Sequence, residues 1–285
     1  MHTIRIISRL DIKGPNLVKG IHLEGLRVLG RPWDFAKYYY DNGADELVYQ
    51  DVVASLYGRN NLSEMISKTA SNIFIPLTVG GGIRTIADIK EVLRAGADKV
   101  CINSAAINDP SFIKQASRIF GSSTIIAGIE AIKQTDGRYM ACFNNGREES
   151  GLEVKEWSIR LAESGAGEIM ITSVDREGTA EGFDTDLVKY VSSAVNIPVI
   201  AHGGAGKKED VIDVIKHGLC DAVAIAGMFH YAGLKEAGEL SGAANAEGND
   251  EFVKSKMQVK AYKEAVNIID LKNYLHEMGV MCRYK

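Results

Sequence analysis

Two carboxylic acids each close a short apolar run: Asp11 follows Ile4-Arg-Ile-Ile-Ser-Arg-Leu10, and Glu130 follows Thr124-Ile-Ile-Ala-Gly-Ile129. A carboxyl group at the end of a buried strand can act as general acid or base on whatever lies at that end. Two glycine clusters complete the set, Thr78-Val-Gly-Gly-Gly-Ile83 and Ala201-His-Gly-Gly-Ala-Gly206. Each ends an apolar run and precedes a helical pattern. Glycines at such a turn let backbone N–H groups approach an anion closely, and the start of the following helix favours negative charge. Carboxyl groups between two anion-binding turns suit acid–base work on a long substrate held by a phosphate at either end. His202, beside the second cluster, reads equally well as a phosphate contact or as a space-filler. No Ser/His/Asp order, Cys/His pair or metal-ligand spacing competes for the chemistry.

The two glycine clusters belong to a longer repeat at a constant offset of 122 residues, which carries Pro76 to Pro198, Gly81 to Gly203, Gly82 to Gly204, Asp88 to Asp210 and Gly96 to Gly218. After one inserted residue Asp98 meets Asp221, and Asn103-Ser104 falls opposite Ala226-Gly227. A repeat this long is a half-domain rather than a short solenoid unit. Each copy implies its own phosphate, near Gly82 with Ser104 and near Gly204 with Gly227.

The elements that must position these residues alternate strand and helix. Strands are expected at 4–11, 46–52, 74–79, 99–103, 124–130, 168–173, 197–201 and 222–226, and helices at 32–42, 62–71, 86–95, 110–120, 152–164, 186–195, 209–217 and 271–278. Pro32 suits a first helical turn, Gly96 a C-terminal cap and Asp109 an N-terminal cap. Lys13 to Arg31 has no clear period and reads as a long loop, often a lid. Arg138 to Phe143, followed by Asn144-Asn-Gly146, reads as one arm of a small hairpin. Apolar strands separated by helices form a parallel sheet covered by helices, and eight such units close a (β/α)8 barrel. An open doubly wound sheet is the alternative; two similar halves favour closure. In this fold the site lies at the C-terminal ends of the strands, where Asp11, Glu130 and both glycine clusters fall. The whole chain, residues 1–285, is expected to be one such domain. Residues 231–266 break the pattern and read as a flexible surface insertion, a decoration with 251–265 helical.

Composition sets the limits. Hydrophobic residues make up 46% and charged residues 25%, a globular balance, and the net charge of −4 does not suggest broad binding to nucleic acid. Cys101, Cys142, Cys220 and Cys282 are far apart, as reduced thiols of a cytoplasmic protein would be. The first residues lack the apolar core of a signal peptide, and no apolar run approaches the ~18 residues of a membrane span. No metal or cofactor is expected, and neither nucleic acid nor a membrane is an expected partner.

The chain closely resembles the cyclase subunit of imidazole glycerol phosphate synthase. The resemblance rests on Arg5-Ile-Ile7, Leu10-Asp11 and Val18-Lys19-Gly20, on Asp45-Glu-Leu-Val48, Thr78-Val-Gly-Gly-Gly-Ile83 and Gly96-Ala-Asp-Lys-Val100, and on Ile102-Asn103. It continues through Gly165-Ala-Gly-Glu-Ile169, Thr172-Ser173, Asp175-Arg176, Gly178-Thr179, Gly203-Gly-Ala-Gly-Lys207 and Phe229-His230. The resemblance implies a lyase of histidine biosynthesis. Ammonia released from glutamine by a separate glutaminase subunit would pass through the barrel to a bisphosphorylated ribulosyl aminoimidazole carboxamide nucleotide. It implies catalytic roles for Asp11 and Glu130 and a substrate-loop role for Lys19. Phosphate contacts would be Gly82, Asn103 and Ser104 at one end, and Gly178, Gly204, Ala226 and Gly227 at the other. The family's charged ring at the ammonia entrance corresponds to Arg5, Glu46, Lys99 and Glu168. Three departures bear on the substrate: Glu130 stands where the family has Asp, Gly227 where it has Ser, and His202 where it has a small serine. Similar paralogues accompany sugar amidation in surface-polysaccharide pathways, and a non-catalytic ammonia-conducting scaffold is a further alternative.

Overall fold

A computed structural model of the chain describes residues 3–54, 62–236, 262 and 264–283. Strand β1 (Arg5–Lys13) runs past its neighbours into an antiparallel hairpin of β2 (Asn16–Ile21) and β3 (Glu24–Gly30). Then come α1 (Pro32–Asp41), β4 (Glu46–Asp51), α2 (Ser63–Ala70), β5 (Leu77–Gly80), α3 (Ile86–Ala95), β6 (Lys99–Ile102), α4 (Ser104–Asn108) and α5 (Ser111–Phe120). The second half opens in the same way, with β7 (Ile125–Lys133) running into a hairpin of β8 (Tyr139–Phe143) and β9 (Glu148–Glu153). It continues through α6 (Val154–Glu163), β10 (Glu168–Ser173), α7 (Thr185–Ser192), β11 (Val199–His202), α8 (Lys208–Gly218), β12 (Ala222–Ile225), α9 (Gly227–Glu236) and α10 (Ile268–Glu277).

Eight of these strands are parallel neighbours in the order β1, β4, β5, β6, β7, β10, β11, β12, and β12 pairs back onto β1 with Arg5 beside Ala222. The sheet is therefore a closed (β/α)8 barrel. Alternate residues of a strand point to opposite faces. Outward residues such as Ile6, Leu10, Leu47 and Tyr49 join the main core under the helices. Inward residues form a separate apolar layer inside the barrel: Ile7, Val48, Cys101, Ile126, Met170, Ile200, Ala222 and Ala224.

The repeat has a structural cause. The Asp98 carboxylate accepts from the backbone N–H of Leu77 at 2.8 Å, and Asp221, its counterpart, from that of Val199 at 2.8 Å. Asp88 accepts from the N–H of Arg84 and Thr85, as Asp210 does from Gly206 and Lys207, so each caps the helix after its glycine cluster. These acids satisfy backbone donors that strand and helix ladders leave open.

The expected helices and strands are present to within a few residues, and the helix 86–95 and the strand 168–173 keep their expected bounds. Lys13 to Arg31 is not a loop but the β2–β3 hairpin. Its turn is made by His22 (φ 52°) and Leu23 (φ 62°), non-glycine residues in the left-handed region, so the usual Asn-Gly signal is missing. Helix α4 fills part of an expected connection, and α9 continues through Glu236, so the described chain stays regular past residue 231. Of the helix expected at 251–265, residues 251–261 and 263 lie outside the described residues. No helix among the described residues is long and apolar enough to cross a membrane.

Candidate functional site

Inward positions of β1 follow one another up the barrel: Arg5 at the floor, Ile7 in the apolar layer, then Arg9 and Asp11 at the mouth. Arg9 is buried, and its guanidinium spans the interior: Nε donates to Asp11 Oδ1 at 2.9 Å, and Nη1 reaches His202 Nδ1 at 3.1 Å and Thr172 Oγ1 at 3.4 Å. Lys19, carried on β2, donates to Asp11 Oδ2 at 3.4 Å and pairs tightly with Glu177 from the loop after β10. Asp11, at 2% exposure, is sealed beneath the β2–β3 hairpin. The hairpin is held down by His22, whose N–H donates to the Glu177 carbonyl at 2.8 Å, and by Asn145, whose Nδ2 donates to the Leu23 carbonyl at 3.0 Å.

The electrostatics set the two carboxyl groups apart. Burial alone would raise the Asp11 pKa, but the Arg9 guanidinium, with the Lys19 ammonium, outweighs it and holds this carboxyl well below the usual range. Glu130 is pushed up to about 7, chiefly by burial, with the Asp11 charge adding to the rise; the Gly146 N–H and Arg9 oppose it. The Gly146 N–H donates to Glu130 Oε2 at 2.7 Å. Burial, reinforced by Arg9, drives the His202 pKa well below normal, so the ring is neutral; Nδ1 then accepts from Arg9 and Nε2 carries the proton. The mouth therefore holds one firmly ionised carboxylate and one carboxyl poised to exchange a proton near neutrality, as acid–base chemistry requires.

A cavity of about 330 Å³ opens at the mouth; Arg9, Gly82, Asn103, Ser104 and Glu130 are among the residues that border it, whereas Asp11 lies behind Arg9 and is not. That is the low end of the range for small-molecule sites. Gly82 adopts φ 72°, which aims the turn between β5 and α3 at the cavity. Asn103 Nδ2 donates to the Cys142 carbonyl at 3.2 Å, while Oδ1 is buried without a protein partner among the described residues. Ser104 Oγ accepts from the Asn144 N–H at 3.2 Å. The first set of expected phosphate contacts is thus brought together with Glu130.

The second set, Gly178, Gly204, Ala226 and Gly227, does not border that cavity. The Gly20 carbonyl covers Gly178 closely enough that an added methyl would meet it at 2.3 Å. The Gly204 carbonyl accepts from the Gly182 N–H at 2.9 Å, and its own Cα is covered by the Gly182 carbonyl. Tyr262 lies over Gly227, its hydroxyl 2.2 Å from where a methyl there would stand. The stretch expected to be mere decoration therefore contributes a side chain to this end of the mouth.

At the opposite end of the barrel Arg5, Glu46, Lys99 and Glu168 are each the first residue of their strand and form one closed ring. Arg5 Nη1 meets Glu46 Oε1 at 2.7 Å and Nη2 meets Glu168 Oε2 at 2.5 Å; Lys99 Nζ meets Glu46 Oε2 at 3.1 Å and Glu168 Oε1 at 2.6 Å. Burial would raise the Glu168 pKa, but Arg5 and Lys99 outweigh it and hold it below normal. Among the described residues no cluster of three His, Cys, Asp or Glu could hold a metal ion.

Arg9, Glu177, Thr172 and Tyr262 were not among the residues expected at the site. Arg9 carried a usable signal, because residues two apart on a strand share a face and Asp11 was already placed. Glu177 lies next to Gly178, the one residue of its loop expected at the site, and Tyr262 falls in the helix expected within the surface insertion.

Comparison with known proteins accords with this arrangement. The family described as Histidine biosynthesis protein matches residues 5–235. Proteins named imidazole glycerol phosphate synthase subunit HisF are similar over most of the chain. The one from Legionella pneumophila is 57% identical over 210 residues, which cover 74% of this chain and 99% of that relative. The one from Alkaliphilus metalliredigens is 46% identical over 81% of this chain and 92% of its own length. The one from Lactococcus lactis subsp. lactis is 43% identical over 93% and 99% respectively. The barrel with its paired halves, the salt-bridged ring at its floor and the carboxyl pair at its mouth are thus the frame of a histidine-biosynthesis protein, and the chain belongs to that family, alongside the HisF subunits of imidazole glycerol phosphate synthase.

Proposed function

We propose that this chain is the ammonia-using cyclase subunit of a glutamine-dependent lyase of the imidazole glycerol phosphate synthase type. The observation that carries the proposal is the axial order of the barrel interior. A ring of four charges stands at the floor, an apolar layer above it, and an acid–base pair with a cavity at the mouth. Neutral ammonia is small enough to pass apolar side chains that would stop an ion, and the ring supports the reading of the floor as the face for a glutaminase subunit. At the mouth the acceptor is a bisphosphorylated ribonucleotide-like molecule, with one phosphate at Gly82, Asn103 and Ser104. Asp11 accepts or holds positive charge that develops on it, and Glu130 delivers or removes a proton. Turnover of the bisphosphorylated ribulosyl aminoimidazole carboxamide nucleotide by the purified chain with ammonium salt tests this directly. An unchanged nucleotide would overturn this acceptor.

A second reading has its own support, Tyr262 over Gly227 and the longer Glu130 side chain. Here the ammonia route is the same, and the acceptor differs, as in amidation of a sugar for surface polysaccharide. Incorporation of labelled nitrogen into a sugar phosphate, with none into the nucleotide, would favour it. Absence of turnover with any acceptor would leave an ammonia-conducting scaffold.

A further inference from the structure

The two halves of the barrel each set a polar side chain beneath their glycine cluster, but from different strands. Gln50 and Thr172 are related by the 122-residue offset, as are Gly80 and His202. Each pair faces across neighbouring strands, Gln50 beside Gly80 and Thr172 beside His202. In the first half the larger side chain is Gln50. A methyl on Gly80 would stand 2.3 Å from Gln50 Oε1, so the amide occupies the space that Gly80 leaves bare, and Gln50 borders the cavity at the first phosphate end. In the second half the larger side chain is His202, and Thr172 is the short one.

Arg9 fixes what His202 can offer there. The ring places Nδ1 3.1 Å from Arg9 Nη1 and 3.2 Å from Thr172 Oγ1. A guanidinium only donates, so Nδ1 is the acceptor and Nε2 carries the ring proton. Nε2 has no partner among the described residues, and it is not one of the fully enclosed unpaired atoms, as His230 Nε2 is, so this donor meets open space. The next residues, Gly203 and Gly204, are buried, and among the described residues their N–H groups donate no hydrogen bond. Donors left open on consecutive residues call for an acceptor. The side chains that serve the first end, Asn103 and Ser104, have Ala226 and Gly227 as counterparts, which carry no side-chain donor. The titratable groups that face the ring are Arg9 and Asp11 from β1 and Lys19 from β2, with Glu177 paired to Lys19; the neighbours on β10 and β12, Thr172 and Ala224, do not titrate. Burial and the two cations keep the ring neutral against the pull of Asp11.

We infer that His202 is the side-chain donor for the second phosphate of the acceptor, and that Arg9 is the positioning residue that holds it in the Nε2–H form. The inference rests on the bisphosphorylated acceptor proposed above and adds the side chain that recognises its far end. A donor that stays neutral holds the phosphate in the same way across the neutral pH range.

Anion binding and the histidine tautomer test this without turnover. Crystals of the full chain soaked in inorganic phosphate should show two anions. One should lie at Gly82, Asn103 and Ser104, the other at Gly203 and Gly204 in hydrogen-bond contact with His202 Nε2. With nitrogen-15-labelled histidine, the His202 resonance, identified by its loss in His202→Leu, should report the neutral Nε2–H form from about pH 6 to 8 and shift when phosphate is added. His202→Leu should keep the first anion and bind the second at least about tenfold more weakly by calorimetry. Arg9→Met should free the ring to gain a proton as pH falls through the ordinary histidine range, about 6.5. A second anion out of reach of Nε2, a wild-type ring protonated on Nδ1, or undiminished two-site binding in a folded His202→Leu would overturn the inference and leave the proposed function standing. A ring that keeps the Nε2–H form throughout in Arg9→Met would overturn the role of Arg9. An anion at the Gly82 end alone would overturn the inference and keep the first phosphate site, whereas no anion at either end would overturn the phosphorylated acceptor with it. If His202→Leu does not fold, the wild-type crystal and the wild-type resonance decide.

Discussion

Arg9 and Asp11 share one face of β1, and the Arg9 guanidinium donates to the Asp11 carboxylate at 2.9 Å inside the barrel. The same guanidinium reaches His202 across the interior and also favours the charged form of Glu130. One buried cation thereby fixes Asp11 as a carboxylate and, after burial, helps keep His202 neutral. Glu130 is left as the carboxyl whose proton can move near neutral pH.

Arg9→Met removes one partner of a buried pair, a change that typically costs about 3–5 kcal/mol. Lys19 remains beside Asp11, so the lower end, about 3 kcal/mol, is expected by urea denaturation at pH 7. The Asp11 pKa is depressed in the folded chain. Its stabilising contribution is therefore complete above its unfolded value of about 3.9 and is lost as pH falls toward the lowered folded value. The gap between wild type and variant should narrow below about pH 4; a gap that widens there would contradict the pairing. Asp11→Asn should keep the fold and lower ammonium-driven turnover ~10²–10⁴-fold.

Glu130 should supply the pH dependence. At constant free ammonia, the rate should change over a pKa near about 7, and Glu130→Gln should remove that inflection while slowing turnover. The stability sign follows from the raised pKa. Between about pH 4.3 and the folded value the folded chain keeps a proton that the unfolded chain has released, so this group's contribution falls as pH rises through that window. Glu130→Gln should flatten that slope. An unchanged pH profile in the variant would remove Glu130 from proton transfer. Glu130→Asp should not confer high activity on the histidine-pathway nucleotide if a different acceptor is the substrate.

Gly82→Ala tests the open phosphate site. At φ 72° an L-residue is strained by roughly 1–2 kcal/mol, and relief of that strain would turn the N–H groups of the loop away from the cavity. Affinity for inorganic phosphate should fall about tenfold with little loss of global stability, since about 1.4 kcal/mol corresponds to that factor. Calorimetry on the folded variant checks this, and unchanged affinity would place the phosphate elsewhere.

The barrel was legible because its signals are repeated and local. Strand–glycine–helix units recur at one spacing, and Asp98 with Asp221 and Asp88 with Asp210 cap equivalent backbone groups in both halves. The two hairpins show where legibility ends. Asn144, Asn145 and Gly146 turn the second in left-handed conformations that their types announce, whereas His22 and Leu23 turn the first in conformations their types disfavour. Their strain is borne by tertiary contacts, the His22 N–H to Glu177 and the Leu23 carbonyl to Asn145, which local sequence does not display. Tyr262 was hidden for the same reason: only the fold brings it to Gly227.

The central claim is that ammonia enters through the ring at the barrel floor and reacts at the mouth. The most direct measurement compares two nitrogen sources in wild type and Lys99→Ala, on whichever acceptor the ammonium assay turns over. Glutamine with a family glutaminase subunit drives one reaction, and ammonium salt at high pH the other. Lys99 Nζ bridges Glu46 and Glu168, so its removal opens the ring on one side and leaves the mouth untouched. The account predicts that glutamine supports turnover only with the second subunit present. It also predicts that Lys99→Ala lowers the glutamine-driven rate at least tenfold while the ammonium-driven rate stays within about twofold. Equal losses in both reactions, or use of glutamine by this chain alone, would contradict it.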